Sequence, residues 1–467
     1  MSELPLADIQ GLILRGYRYD VARHAIVHCG GTAAQAQAFL AELIPFVTTA
    51  QPWTMKPAST LNIGITYAGL VALGLKPQPN DFPTSFVNGA VGQAAVVYDT
   101  GANAPANWAG NLGDPDTAHL ILTFYAVDAE VLDVALAFWT AKFPAYGIEL
   151  AYTIQANALP NDGVHFGFRD SIAQPTIAGA PVRKHDRPDD QPVAPTGEFL
   201  MGYPSQMPGI TYSVRPSQLT LNSSFGAFRI LEQDSAGFET FLRTAATATK
   251  LDPELIAAKV CGRWRNGSPL VLAPESPTPP VLDDQLNSFT YGSANAGAAD
   301  PLGIRCPVGS HIRRSNPRDQ NVVTSPTSGH LHRIVRHAMP YGPPYTGSGE
   351  DDGVERGLVG YFINADLSNQ FEFVMNSWIN TDGFVKSVWL PTGGPYEGNP
   401  TNNIDGSDVF LGEGPGTLTV TQAPQKPGGM ATNTQFSAAK QLITTKGGAY
   451  CLLPSITALK YLAGGAA

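Results

Sequence analysis

A chain of 467 residues is long enough for two ordinary domains or one large one. With 43% hydrophobic and only 15% charged residues it is globular rather than disordered. A formal net charge of −10 argues against nucleic-acid and anionic-membrane partners, both of which need a basic face.

The chain opens "MSELPLADIQGLILRGY", with acidic residues where a signal peptide needs positive charge, and no long apolar run follows. A cytoplasmic location is therefore expected, with export by another route left open. Four segments then share one pattern: an apolar strand, a polar cap and an amphipathic helix. "HAIVHCGGTAAQAQAFLAELI" predicts a helix capped by Thr32. "AHLILTFYAVDAEVLDVALAFW" predicts one capped by Asp128, with Val131, Leu132, Leu136 and Trp139 on one face. The Pro-rich stretch 185–204 marks a boundary, placed near residue 215. "GAFRILEQDSAGFETFLRTAA" repeats the unit with Asp234 as cap. "GLVGYFINADLSNQFEFVMNSWI" repeats it again, with Phe371, Val374, Met375 and Trp378 at helical spacing. Two such units on each side of the boundary predict a duplicated α+β plan, antiparallel sheets with helices on one face. Cys29, Cys261, Cys306 and Cys451 lie far apart and read as buried small hydrophobes.

The chain lacks GxSxG, HExxH, Walker and GxGxxG patterns, which weakens the common hydrolase, zincin, kinase and dinucleotide readings. Three other stretches could carry chemistry. "HFGFRDSIAQP" (165–175) holds Asp170 between apolar flanks. "CPVGSHIRRSNPR" (306–318) sets His311 among three arginines, which invites a local anion. "HRIVRHAMPYG" (332–342) holds Arg336, a cation that does not deprotonate at working pH. His330 and His332 in "GHLHR" could pair on a metal, but no third ligand lies near them in the sequence.

Taken together with "GEFLMGYP", "VCGRWRNGSPL" and "GGAYCLLPSITALKYLA", these stretches resemble the dye-decolorising peroxidases in order and nearly end to end. The resemblance implies two ferredoxin-like domains, 1–215 and 216–467. The first carries the distal acid near its end, and the second holds haem b between sheet and helices. His311 matches the proximal iron ligand, Arg314 a propionate-binding position, and Asp405 or, with preference, Asp408 the carboxylate behind the histidine. Asp170 and Arg336 match the distal acid and arginine that cleave hydrogen peroxide by way of a ferryl intermediate. A free aspartate titrates near ~4, so an Asp170 shuttle implies an acid-shifted optimum. The family's distal pocket is tight, so bulky donors would pass electrons through surface aromatics. Tyr341 and Trp378 are the candidates, with Trp389 behind them. The implied partners are peroxide and small aromatic donors, and a homodimer is compatible.

Two departures lie on the peroxide side. Ser171 stands where the family's GxxDG motif ends in glycine. If that position takes φ > 0, serine costs about 1 kcal/mol or re-aims Asp170. Gly360 stands where relatives usually place a bulky residue, which implies a larger, wetter cavity over the iron. On these grounds a haem carrier, store or sensor with weak peroxidase activity is the alternative reading.

Overall fold

The computed structural model describes residues 3–181, 191–292, 300–320, 329–347, 349–381, 383–386, 406–422 and 432–465. Asp405 and Trp389 lie outside them. Ten strands are present: β1 (Val21–Cys29), β2 (Ser59–Ile65), β3 (Leu120–Ala126), β4 (Ile148–Asn157), β5 (Ser224–Gln233), β6 (Val335–Tyr341), β7 (Gly357–Asn364), β8 (Thr417–Gln422), β9 (Thr432–Ser437) and β10 (Ile443–Leu453). Eight of them form one sheet in the order β4-β1-β3-β2-β10-β5-β7-β6, and every recorded pairing is antiparallel.

The order contains a repeat. Numbered within its own half, each quartet reads fourth, first, third, second strand. A helix follows the first and third strand of each quartet, at Ala33–Leu43, Ala129–Thr140, Ser235–Thr249 and the π-helical turns between Ser368 and Ile379. Each half is thus a ferredoxin-like βαββαβ unit, as the resemblance implies. Within the sheet the halves are joined at one recorded register pair, Leu452 with Ile65. β8 and β9 form a separate ribbon.

The helices start where the polar residues predict. Thr32 accepts from the Gln35 N–H while its own N–H donates to Gln35 Oε1. Asp128 accepts from Val131 N–H at 2.9 Å, and Asp234 from Gly237 N–H at 2.7 Å. Each cap is worth about 1 kcal/mol.

The outermost strands, β4 and β6, pack against one another, so the sheet curls around a core shared by both halves. His24 of β1 lies 5.1 Å from Phe228 of β5, ring centre to ring centre. A Cβ on Gly64 of β2 would lie 2.9 Å from the Tyr361 hydroxyl of β7. The four cysteines are buried and unpaired. No helix among the described residues is long and apolar enough to cross a membrane.

Candidate functional site

His311 opens a short helix, His311–Ser315, that follows the buried turn of Cys306 to Ser310. Its Nδ1 lies 3.2 and 3.3 Å from the two carboxylate oxygens of Asp408, so Nδ1–H donates to that carboxylate. Asp408 Oδ1 also accepts from the N–H groups of Phe410 and Leu411, and the Asp408 N–H donates to Ile379 O at 2.8 Å. Asp408 is only 1% exposed. Burial pushes its carboxyl upward, but His311, Arg314 and the Leu411 N–H together hold it below the usual carboxylate range. The result is an ionised, fully bonded carboxylate behind a histidine whose Nε2 has no hydrogen bond among the described residues. That donor set suits an iron ligand: one nitrogen is fixed as N–H by a carboxylate, and the lone pair of the other is left for a metal.

Arg314 has no exposed surface. Its Nε donates to Gly309 O, Nη1 to Trp378 O and Thr381 O, and Nη2 to Gly406 O at 2.6 Å. Four of its hydrogen bonds thus go to main-chain carbonyls. The structure makes Arg314 a clamp between the His311 helix, the C-terminal end of the Trp378 helix and the strap that carries Asp408. A guanidinium at the orphan carbonyls of a helix end is favourable in both hydrogen bonding and charge.

The loop after β4 packs beside this histidine. There Phe166 and Phe168 pack on Phe410 with centroids 5.2 and 6.0 Å away, and Phe410 lies 5.5 Å from the His311 ring. One side chain therefore ties the Asp170 loop to the His311 side. Asp170 is partly buried, and its N–H donates to Asp162 O. A few residues on, Gln174 bonds both the N–H and the carbonyl of Arg336, while Arg336 Nη2 donates to Ala173 O at 3.2 Å. Asp170 and Arg336 are thus carried by segments locked together. Neighbouring Arg169 is engaged elsewhere, in a two-point ion pair with Asp283.

The two departures resolve differently. Ser171 has φ +57°, the left-handed region in which a side chain costs roughly 1 kcal/mol. Gly360 does not open a cavity, which corrects the expectation. It sits in β7 opposite Ala338 of β6, and a Cβ built on it would lie 2.1 Å from His337 O and 2.5 Å from Ala338 Cα. The neighbouring strand already fills the space a side chain would take.

Neither aromatic candidate is a surface residue; both are packed. Tyr341 is 6% exposed, and its hydroxyl donates to Glu355. Trp378 is 1% exposed, boxed by His332, Phe373 and Phe384. His332 is stacked flat on Phe373 with Nδ1 on Asn369 O, as a core histidine would be. Sequence reading missed Glu355 altogether, because an acid in a long loop carries no local signal of its partner.

No family model matches the chain. A dye-decolorizing peroxidase of Mycena epipterygia is 27% identical to it, over 98% of this chain and 87% of its own length. Among solved structures, a dye-decolorizing peroxidase whose haem pocket was engineered for asymmetric sulfoxidation superposes with a TM-score of 0.79 at 26% identity. The match covers 98% of this chain and 100% of that one. Another, a complex with 2,6-dimethoxyphenol, superposes with a TM-score of 0.78 at the same identity and coverage.

Proposed function

We propose that this chain is a haem b peroxidase of the dye-decolorising type, reducing hydrogen peroxide with electrons from dyes, phenols or similar aromatic donors. The observation that carries the haem assignment is His311, with Nδ1 on the buried Asp408 carboxylate and Nε2 uncommitted. Haem, when bound, would supply an iron that takes up the oxidising equivalents of peroxide.

His311 would hold that iron through Nε2. Asp408, by accepting the Nδ1 proton, fixes the tautomer and makes the ring a stronger electron donor. Arg314 keeps the helix and the strap in register. On the other side, Asp170 would take a proton from one peroxide oxygen and return it to the other, which leaves as water. Arg336 would hold a permanent positive charge where negative charge grows as the O–O bond breaks. Its main chain is pinned by Gln174, so its starting point is fixed before peroxide arrives. The carrier reading loses one of its two supports, since Gly360 marks a close strand contact rather than an emptied pocket.

The test is haem titration of wild type and two variants. The His311→Ala variant should lose the ligand-field spectrum of the wild type. The Asp170→Asn variant should keep that spectrum while peroxidase turnover falls by about 10²–10⁴-fold, the usual worth of a positioned acid–base group. An unchanged spectrum in His311→Ala would remove the ligand assignment, and unchanged turnover in Asp170→Asn would remove the proton shuttle.

A further inference from the structure

The turn from β6 to β7 is built around a buried phenol. Tyr341 ends β6 with 6% of its surface exposed. Its ring packs on Gly357, where a Cβ would lie 2.8 Å from Tyr341 Cε1. Gly342, at φ +81°, lets the chain fold back so closely that a Cβ there would meet Glu355 O at 2.4 Å. These two glycines let Glu355 lie over the ring, and the Tyr341 hydroxyl donates to Glu355 Oε1 at 3.2 Å. Glu355 itself is exposed to water. Among the described residues no cation pairs with it: adjacent Arg356 is held by Asp352 and Pro343 O instead. The carbonyl of Tyr341 accepts from His165 Nε2 at 2.7 Å, which joins the phenol's strand to the loop bearing Asp170.

We infer that Glu355 is the proton acceptor that makes Tyr341 oxidisable, so that the pair relays electrons from donors too bulky for the peroxide pocket. This rests on the reading of Tyr341 as an electron relay and adds the residue that lets it work. A phenol that loses an electron becomes a strong acid, so its proton must leave with the electron. Tyr341 is too buried to give that proton to bulk water, whereas Glu355 can receive it and stands in water itself. In the forward step Tyr341 gives one electron to the oxidising equivalent left by peroxide reduction and its proton to Glu355. A neutral tyrosyl radical and a protonated carboxyl result. The donor then returns one electron to Tyr341, the proton moves back from Glu355, and the donor departs as a one-electron-oxidised radical whose own proton goes to water.

The surroundings support this order of events. Burial raises the Tyr341 phenol pKa, and the charges of Glu355 and Glu232 raise it further, so ionisation ahead of electron loss is closed. The same negative charges favour removal of an electron. Tyr152 on β4, half-exposed, lies close enough to Glu355 for burial and then that carboxylate to raise its phenol pKa too.

The test compares the haem-loaded wild type with Tyr341→Phe, Glu355→Gln and Glu355→Asp. Samples are frozen within milliseconds of adding peroxide and read by electron paramagnetic resonance, alongside turnover of a bulky dye. The wild type should show a tyrosyl signal that Tyr341→Phe abolishes. Glu355→Gln should slow its formation and the dye turnover by about 10²-fold, and Glu355→Asp should restore most of both. A Tyr341→Phe variant that keeps signal and turnover would remove the relay itself. A Glu355→Gln variant that keeps both, while Tyr341→Phe loses them, would remove only the proton acceptor.

Discussion

Asp408 shows how much one side chain can be asked to hold. Its two oxygens take the His311 Nδ1–H and the N–H groups of Phe410 and Leu411, and Arg314 bonds the carbonyl of Gly406, two residues before it. Replacing it by asparagine keeps an oxygen for the two backbone donors and removes the charge behind the imidazole. Haem affinity or activity should then fall about 10–100-fold, with the circular dichroism of the fold unchanged. Haem titration curves identical to wild type would mean that His311 does not need this carboxylate. The sequence made Asp408 visible as one of two acids in a glycine-rich stretch, and the resemblance supplied the reason to look there. It could not reveal Arg314 as a clamp, because the carbonyls it bonds belong to residues up to 92 positions away and carry no side-chain signature.

The β6–β7 pair is the element on which the proposed role of Arg336 depends. Arg336 lies opposite Phe362, and Gly360 opposite Ala338, so the arginine's aim follows from the approach of these two backbones. Gly360→Ala should therefore destabilise the protein by about 3 kcal/mol rather than fill a void, since the added methyl meets a main-chain carbonyl that cannot move alone. Urea unfolding checks this, and a variant as stable as wild type would show that the strands can part at no cost. Other elements were plain beforehand. Thr32, Asp128 and Asp234 each cap the helix they precede, and the strand–helix rhythm foretold a duplicated α+β plan. Caps and periodicity are local, and the closeness of two strands is not. The burial of Trp378 follows from its helical spacing, whereas that of Tyr341 does not, since residues from beyond its own strand cover it.

At the scale of the whole molecule, the shared core sets a limit on acidity. His24, buried between the halves, has its pKa pushed down to about 3 by burial. His330 is pushed down to about 4, by burial first and then by Arg333 and Arg318. An unfolded histidine titrates near ~6.5, so below that pH the unfolded chain binds protons that the folded chain refuses. Stability should fall steadily from about pH 6.5 toward pH 4, with His24 alone worth roughly 4 kcal/mol at the acid end of its range. Urea midpoints across that range should show the slope, and His24→Leu should flatten it. An unchanged slope in that variant would place the acid sensitivity elsewhere. The proposed aspartate shuttle favours acid and buried histidines resist it, so the fold would bound the working range from below. The order of the strands has a further consequence, for how the chain is made. β10 lies in the middle of the sheet, between β2 and β5, yet it is synthesised after every other described strand. Until it emerges from the ribosome, β2 and β5 each present an unpaired edge to the cell. A chain interrupted before residue 443 would therefore be two open half-sheets prone to pairing with other chains, and the cell must shelter both until the last strand arrives to join them.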